Sequence, residues 1–130
     1  MNTILIVDAS ASDSRIISGL LIRAGYNPVF VDSIEAGKLG AAKLPPGAVI
    51  VTAMRLPDGT AREFINWLNA EGYKFPVIAV VENLNALEIV NVMSGGGATD
   101  IVQRAAIDKQ LVETITKYAR PENSVLTLDN

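Results

Sequence analysis

Three short runs of apolar, largely β-branched residues limit how this chain can fold: TILIV at 3–7, AVIVT at 48–52 and PVIAVV at 76–81. None of them alternates apolar with polar residues. Continuous runs of this length belong to strands buried on both faces, as in a parallel sheet covered by helices above and below. NPVFV at 27–31 and TDIV at 99–102 are weaker strand candidates. Helical patterns fill the gaps. SDSRIISGLLIRAG predicts a helix capped by Ser12 and stopped at Gly25. A second helix starts at Ser33 and ends before Pro45-Pro46. A third starts near Thr60, with Ala61, Phe64, Ile65 and Leu68 facing inward. A fourth stops at Gly95–Gly97, and a fifth turns Ile107, Leu111, Ile115 and Tyr118 or Ala119 inward.

Five β-α units in this order predict a doubly wound α/β domain, a three-layer sandwich with helices on both faces of the sheet. The domain is expected over 1–120, with 121–130 as a tail or the start of a linker. In such sheets the functional crevice lies beyond the carboxyl ends of the strands. The residues that matter are therefore Asp8 and Ala9, Asp32, Ala53, Val81 and Glu82, and Gln103 to Ala105.

What the chain lacks narrows the chemistry further. With no cysteine and no histidine, disulfides, thiolate or imidazole metal sites, a Ser-His-Asp triad and a phosphohistidine role are all excluded. The net charge is −3 and the 11 basic residues form no cluster, which argues against direct contact with nucleic acid or an anionic membrane. The apolar run near the N-terminus meets Asp8 after five residues, too soon for a signal peptide or a membrane span. A cytoplasmic location is expected.

ILIVDAS, GYNPVFVDS, VIVTAMRLPDG, FPVIAVVEN and GGATDIVQRA, in that order and spacing, resemble the strand and loop motifs of the response-regulator receiver domain. This is the CheY-like phosphoacceptor module of bacterial two-component and phosphorelay signalling. The likeness spans roughly residues 2 to 119 and implies a flavodoxin-like (βα)5 fold with strand order 2-1-3-4-5. It also implies a reaction, phosphoryl transfer from a partner's phosphohistidine to an Asp. Mg²⁺ neutralises the charge that gathers on the phosphoryl oxygens and carboxylates.

The residues that would carry this reaction are largely missing. Asp8 matches the first acid of the family's pair, and Ala9 replaces the second. Ala53 stands at the acceptor position. Val81 replaces the hydroxyl switch residue, with Glu82 in the small position after it. Ile101 replaces the aromatic switch residue, Arg104 the sensing Lys and Ala105 the following Pro. Mg²⁺ binding is expected to be lost or weak, with Asp8 only a weak candidate ligand, because a hard cation needs several oxygen donors. An Asp8–Arg104 ion pair or water-bridged contact is expected across the former site, the alternatives for Arg104 being an anion contact or a solvated side chain. The Arg104–Ala105 bond should be trans, since a cis bond without proline costs about 2.5–4 kcal/mol. Asp58 reads as a turn residue beside Gly59.

The expected role is a non-enzymatic, phosphorylation-independent protein-interaction or dimerisation module. Its partners would be a sensor kinase, a phosphotransfer protein, an output domain or a second copy. The candidate interaction surface comprises Ile17 and Leu21 on the first helix, Trp67 on the third, and Leu87 and Val90 on the fourth. The fourth helix, with Leu84, Leu87, Ile89, Val90, Val92 and Met93, is apolar over more than one stripe. Two rivals stand beside this reading. One is a genuine phosphoacceptor whose position 53 was changed to Ala. The other is a flavodoxin-like nucleotide- or flavin-binding domain, disfavoured by the acids and the missing glycine in DASASDS.

Overall fold

The computed structural model describes residues 2–83 and 85–119. Leu84 and the tail expected at 121–130 lie outside them. The elements are β1 (Thr3–Val7), α1 (Ala11–Arg23), β2 (Asn27–Val31), α2 (Ile34–Ala41), β3 (Val49–Ala53), β4 (Arg55–Leu56), β5 (Gly59–Thr60), α3 (Ala61–Ala70), β6 (Val77–Val81), α4 (Ala86–Met93), β7 (Asp100–Gln103) and α5 (Ile107–Tyr118), with a 3₁₀ turn at Arg104–Ala106 before α5. The main sheet runs β2-β1-β3-β6-β7, and every pairing in it is parallel. Counting only these five strands, this is the expected order 2-1-3-4-5.

Side chains alternate across the sheet as the pleat requires. Ile4, Ile6, Val49, Val51 and Ile78 pack with Ile17 and Leu21 of α1 and with Leu111 and Ile115 of α5. Leu5, Val7, Ile50, Val77 and Ala79 pack on the opposite face against α2, Phe64, Ile65 and Leu68 of α3, and Val92 of α4. The continuous apolar runs are thus buried on both sides, and the inward residues expected on α3 and α5 are the ones in the core. α2 lies unusually close to its neighbours. A Cβ on Gly37 would come within 3.2 Å of Phe64 Cζ, and one on Gly40 within 3.1 Å of Leu5 Cδ1.

Most helix starts stand where the sequence places them. Ser33 caps α2, and Thr60 caps α3 in a reciprocal capping box with Glu63. α1 departs from expectation by two residues. Ser10 is its cap, accepting the Asp13 N–H, and Ser12 lies inside the first turn. Gly25, with φ 87°, follows the end of α1 as expected.

Two caps come from distant parts of the chain. Asp58 sits in the turn of the small antiparallel β4–β5 ribbon. Its carboxylate accepts the N–H groups of Ile34 (2.8 Å) and Glu35 (3.0 Å) at the start of α2. At the far end of α4, the Arg62 guanidinium donates to the carbonyls of Asn91, Ser94 and Gly95, and Asn69 donates to Gly96 O at 2.6 Å. These contacts satisfy helix-end groups that have no partner within their own helix.

The ring of Phe64 is fully buried and stacks on Trp67, the only tryptophan of the chain, at 6.5 Å. Phe64→Ala should therefore cost about 3–5 kcal/mol, the usual range for emptying an aromatic core site. Urea unfolding followed by Trp67 fluorescence measures it. The two N–H groups of Ile34 and Glu35 hold the Asp58 carboxyl below the usual carboxylate pKa. A depressed native pKa adds stability in full above the unfolded-state value, and that stability is lost as the pH falls through the native one. Asp58→Ala should accordingly lower Tm at pH 7. The deficit should shrink as the pH falls below about 4, in the range where a free carboxylate titrates. Thermal melts of both proteins across this range check it.

Candidate functional site

The strand ends that the topology brings together are the carboxyl ends of β1, β3, β6 and β7. A cavity of about 280 Å³ opens there. Its walls come from Asp8, Ala9 and Ser10 after β1, Asp13 in α1, Ala53 to Arg55 at the exit of β3, Val80 and Glu82 from β6, Glu88 from α4, and Arg104 after β7. A larger hollow, about 460 Å³, lies at the opposite edge of the sheet beside Lys74, Lys117 and Tyr118 and holds none of the predicted site residues.

Asp8 is fixed by its own loop. Its N–H donates to Val31 O at 3.0 Å, and its Oδ1 accepts the Ser10 N–H at 2.9 Å. Arg104 emerges from the end of β7 into the 3₁₀ turn, and its guanidinium forms ion pairs with Asp13 and with Glu82. The expected Asp8–Arg104 pair is therefore replaced. Asp13 stands in the first turn of α1, where a carboxylate is favoured by the helix dipole. Glu82 leaves β6 directly opposite. Together these two carboxylates take the cation. Sequence reasoning missed Asp13 as a partner, although its place five residues after Asp8 at a helix start was a usable signal. Glu82 was singled out for its place after a strand and its size in a small position, not as a partner of Arg104. The Arg104–Ala105 bond is trans, as are all described peptide bonds.

Of the six predicted pocket residues, Asp8, Ala9, Ala53 and Arg104 line the cavity. Val81 and Ile101 do not. At the end of β6 the residues that reach it are Val80 and, just past the strand, Glu82, two apart and hence on one side, and Val81 between them is fully buried. Ile101 packs against the core on the α2–α4 side. Thr52 is buried beneath the site and donates its hydroxyl to Ala53 O at 2.9 Å.

The predicted surface residues also separate. Ile17 and Leu21 are core residues, four apart on the stripe of α1 that faces the sheet, and the exposed apolar side chains of that helix are Ile16 and Ile22. Leu87 and Val90 are 83% and 60% exposed. Trp67 is half-buried between Phe64 and Tyr73, whose ring lies 5.7 Å away, with Lys38 Nζ 5.4 Å from the centre of its own ring.

The donor set does not fit Mg²⁺. One Asp8 oxygen is occupied by the Ser10 N–H, the carboxylates of Asp13 and Glu82 are turned to Arg104, and position 53 offers a methyl group, which leaves the second Asp8 oxygen and Glu88 of α4 as the free acidic donors of the wall. Among the described residues no group of three acidic side chains is placed to hold a metal ion. An oxygen-seeking hexacoordinate cation would have to displace these contacts first. No helix among the described residues is long and apolar enough to cross a membrane.

No family model matches the sequence, and no curated protein matches it significantly. Solved structures do match. The N-terminal domain of FixJ is 24% identical, with 91% of this chain and 93% of that one covered and a TM-score of 0.81. CheY4, a chemotaxis response regulator of Vibrio cholerae, is 21% identical over 91% of this chain and 98% of that one, with a TM-score of 0.80. The beryllofluoride-activated receiver domain dimer of NtrC4 is 24% identical over 92% and 97%, with a TM-score of 0.79. At identities of 24% or less these likenesses establish the fold, and on that ground the chain has the CheY-like architecture of response-regulator receiver domains.

Proposed function

We propose that this chain is a degenerate receiver domain, a protein-interaction module of a two-component or phosphorelay pathway that works without being phosphorylated on Asp. The observation that carries the reading is Ala53. It ends β3 and lines the same cavity as Asp8 and Arg104, where the family resemblance puts the acceptor carboxylate. A methyl group has no lone pair with which to attack phosphorus. Arg104, at the place of the phosphate-sensing Lys, supports the same reading because its charge is already met by Asp13 and Glu82. The output of such a domain depends on what it binds and how it assembles.

The exposed apolar pair on α4, Leu87 and Val90, is the proposed contact surface, since two such side chains three residues apart share one helix face. The NtrC4 receiver is solved as a dimer. By analogy a second copy of this chain is the proposed occupant.

Amide NMR during a titration with Mg²⁺ and beryllofluoride tests the inert pocket. Shifts localised near residues 8, 53 and 104 are not expected, and Ala53→Asp with Mg²⁺ and a small phosphodonor should still yield no stable aspartyl phosphate, because Ala9 and Arg104 remain. Phosphoryl uptake by the unmodified chain would overturn the reading, and stable uptake by the variant would favour a parent that accepts phosphate. Sedimentation tests the contact surface. Concentration-dependent dimerisation should be lost in Leu87→Asp/Val90→Asp with the circular dichroism spectrum unchanged, and a monomer at all concentrations would remove the second copy as occupant.

A further inference from the structure

Asp58–Gly59 is the only Asp-Gly step in the chain, and no Asn-Gly occurs. An aspartyl residue followed by glycine is the acidic pair most open to isomerisation, because glycine has no side chain to shield the backbone nitrogen that attacks. Two separate demands of the fold put the pair here. Position 58 needs a carboxylate, whose oxygens accept the N–H groups of Ile34 (2.8 Å) and Glu35 (3.0 Å) at the start of α2. Position 59 needs glycine. Its φ is 152°, and a Cβ there would collide with Glu63 Oε2 of α3 and lie 2.8 Å from Ile34 Cδ1 of α2. The reactive neighbour is therefore fixed by the packing of the ribbon between two helices.

The reaction is a rearrangement with water as its only co-reactant. The Gly59 nitrogen attacks Asp58 Cγ, a new N–Cγ bond forms, and the amide proton leaves with the carboxyl hydroxyl as water. Water then opens the cyclic imide. Cleavage of the N–Cγ bond restores Asp58. Cleavage of the bond from nitrogen to the original main-chain carbonyl carbon leaves isoaspartate, with the main chain one methylene longer and the free carboxylate on Cα. Two features of the folded chain oppose the first step. The N–H groups of Ile34 and Glu35 keep the carboxyl ionised at neutral pH, and an ionised carboxylate has no hydroxyl to lose. Both of its oxygens are also directed at α2, and Gly59 is paired opposite Leu56 in the ribbon. These restraints last only while α2 stays docked. With eight residues, α2 is too short to persist as a helix on its own.

We propose that Asp58–Gly59 is a modification site gated by α2. Isoaspartate forms at position 58 when α2 leaves the ribbon and is blocked while the carboxylate caps that helix. The product cannot resume the cap, since the added methylene displaces the carboxylate from the two N–H groups. A transient opening is thereby converted into a lasting one, and the altered chain carries an isoaspartyl carboxylate, the group on which carboxyl-methylating repair enzymes act. The inference holds whatever the cavity binds.

Incubation of the intact chain near neutral pH, followed by peptide mass spectrometry with electron-transfer fragmentation, measures isoaspartate at position 58. Folded wild type should accumulate it about tenfold more slowly than wild type in urea, since release of a docked element is a minor-state event. Ser33→Ala removes the local cap of α2, which accepts the Ala36 N–H at 3.1 Å, and leaves residues 58 and 59 untouched. It should speed the reaction about fivefold, the usual effect of losing an N-cap. Ile115→Val, in the core on the other face of the sheet, weakens the whole domain to a similar extent and should leave the rate unchanged. Equal rates in folded and urea-treated wild type, or no response to Ser33→Ala, would overturn the gate. Equal acceleration by the two variants would also overturn it, by placing the reaction in the globally unfolded chain.

Discussion

The structure depends on a demand made by its central strands. β1, β3 and β6 are apolar on both faces, so neither side of the sheet can be left to water. Each face has to be roofed, and the chain does this by returning through a helix after every main-sheet strand but the last, where α5 closes the domain. The amino-terminal ends of the strands then meet helix exits, and the carboxyl ends meet helix entries. Loops, helix N-termini and polar side chains accumulate at the carboxyl edge because the core has no room for them. The cavity beside Asp8, Ala53 and Arg104 follows from this arrangement.

At that edge the balance of charge has been settled within the chain. A cleft that collects a cation needs carboxylates left free to bind it, and of those lining this one Asp13 and Glu82 are paired and one Asp8 oxygen is taken, so that Glu88 and the second Asp8 oxygen are what remain. Asp8 serves its loop, and Asp13 and Glu82 share a single guanidinium. The three segments so joined are α1, the exit of β6 and the exit of β7. In place of a ligand, a side chain of the domain bridges the opening.

Strands and most helix starts were legible because their signals are local. A run of β-branched residues or a Ser before an amphipathic stretch acts through neighbours in sequence. The cap of α1 was misplaced because Ser10 and Ser12 both satisfy the same local rule, and only the path of the loop after Asp8 selects between them. Alternation along a strand explains why Val80 and not Val81 reaches the cavity. The same face geometry put Ile17 and Leu21 in the core, although both had been counted in the candidate interaction surface. The long-range caps were out of reach of any local rule. Asp58 serves a helix 24 residues before it, and Arg62 holds carbonyls at Asn91, Ser94 and Gly95. Pairing of Arg104 belongs to this class, since which acid meets it is decided by how three loops converge.

The closeness of α2 to the sheet has an evolutionary corollary. Gly37 and Gly40 lie against Phe64 and Leu5, and both of those rings and branches are packed from every other side. Enlarging either glycine would press on Phe64 or Leu5, and whatever those side chains could not yield would fall on α2 and on the backbone that Asp58 grips from the neighbouring ribbon. Sequence drift in this lineage should therefore be coupled. Larger residues at 37 or 40 would require Phe64 or Leu5 to give way by a few tenths of an ångström, so that two distant columns of an alignment would tend to change together while the surface of the same helix varies freely.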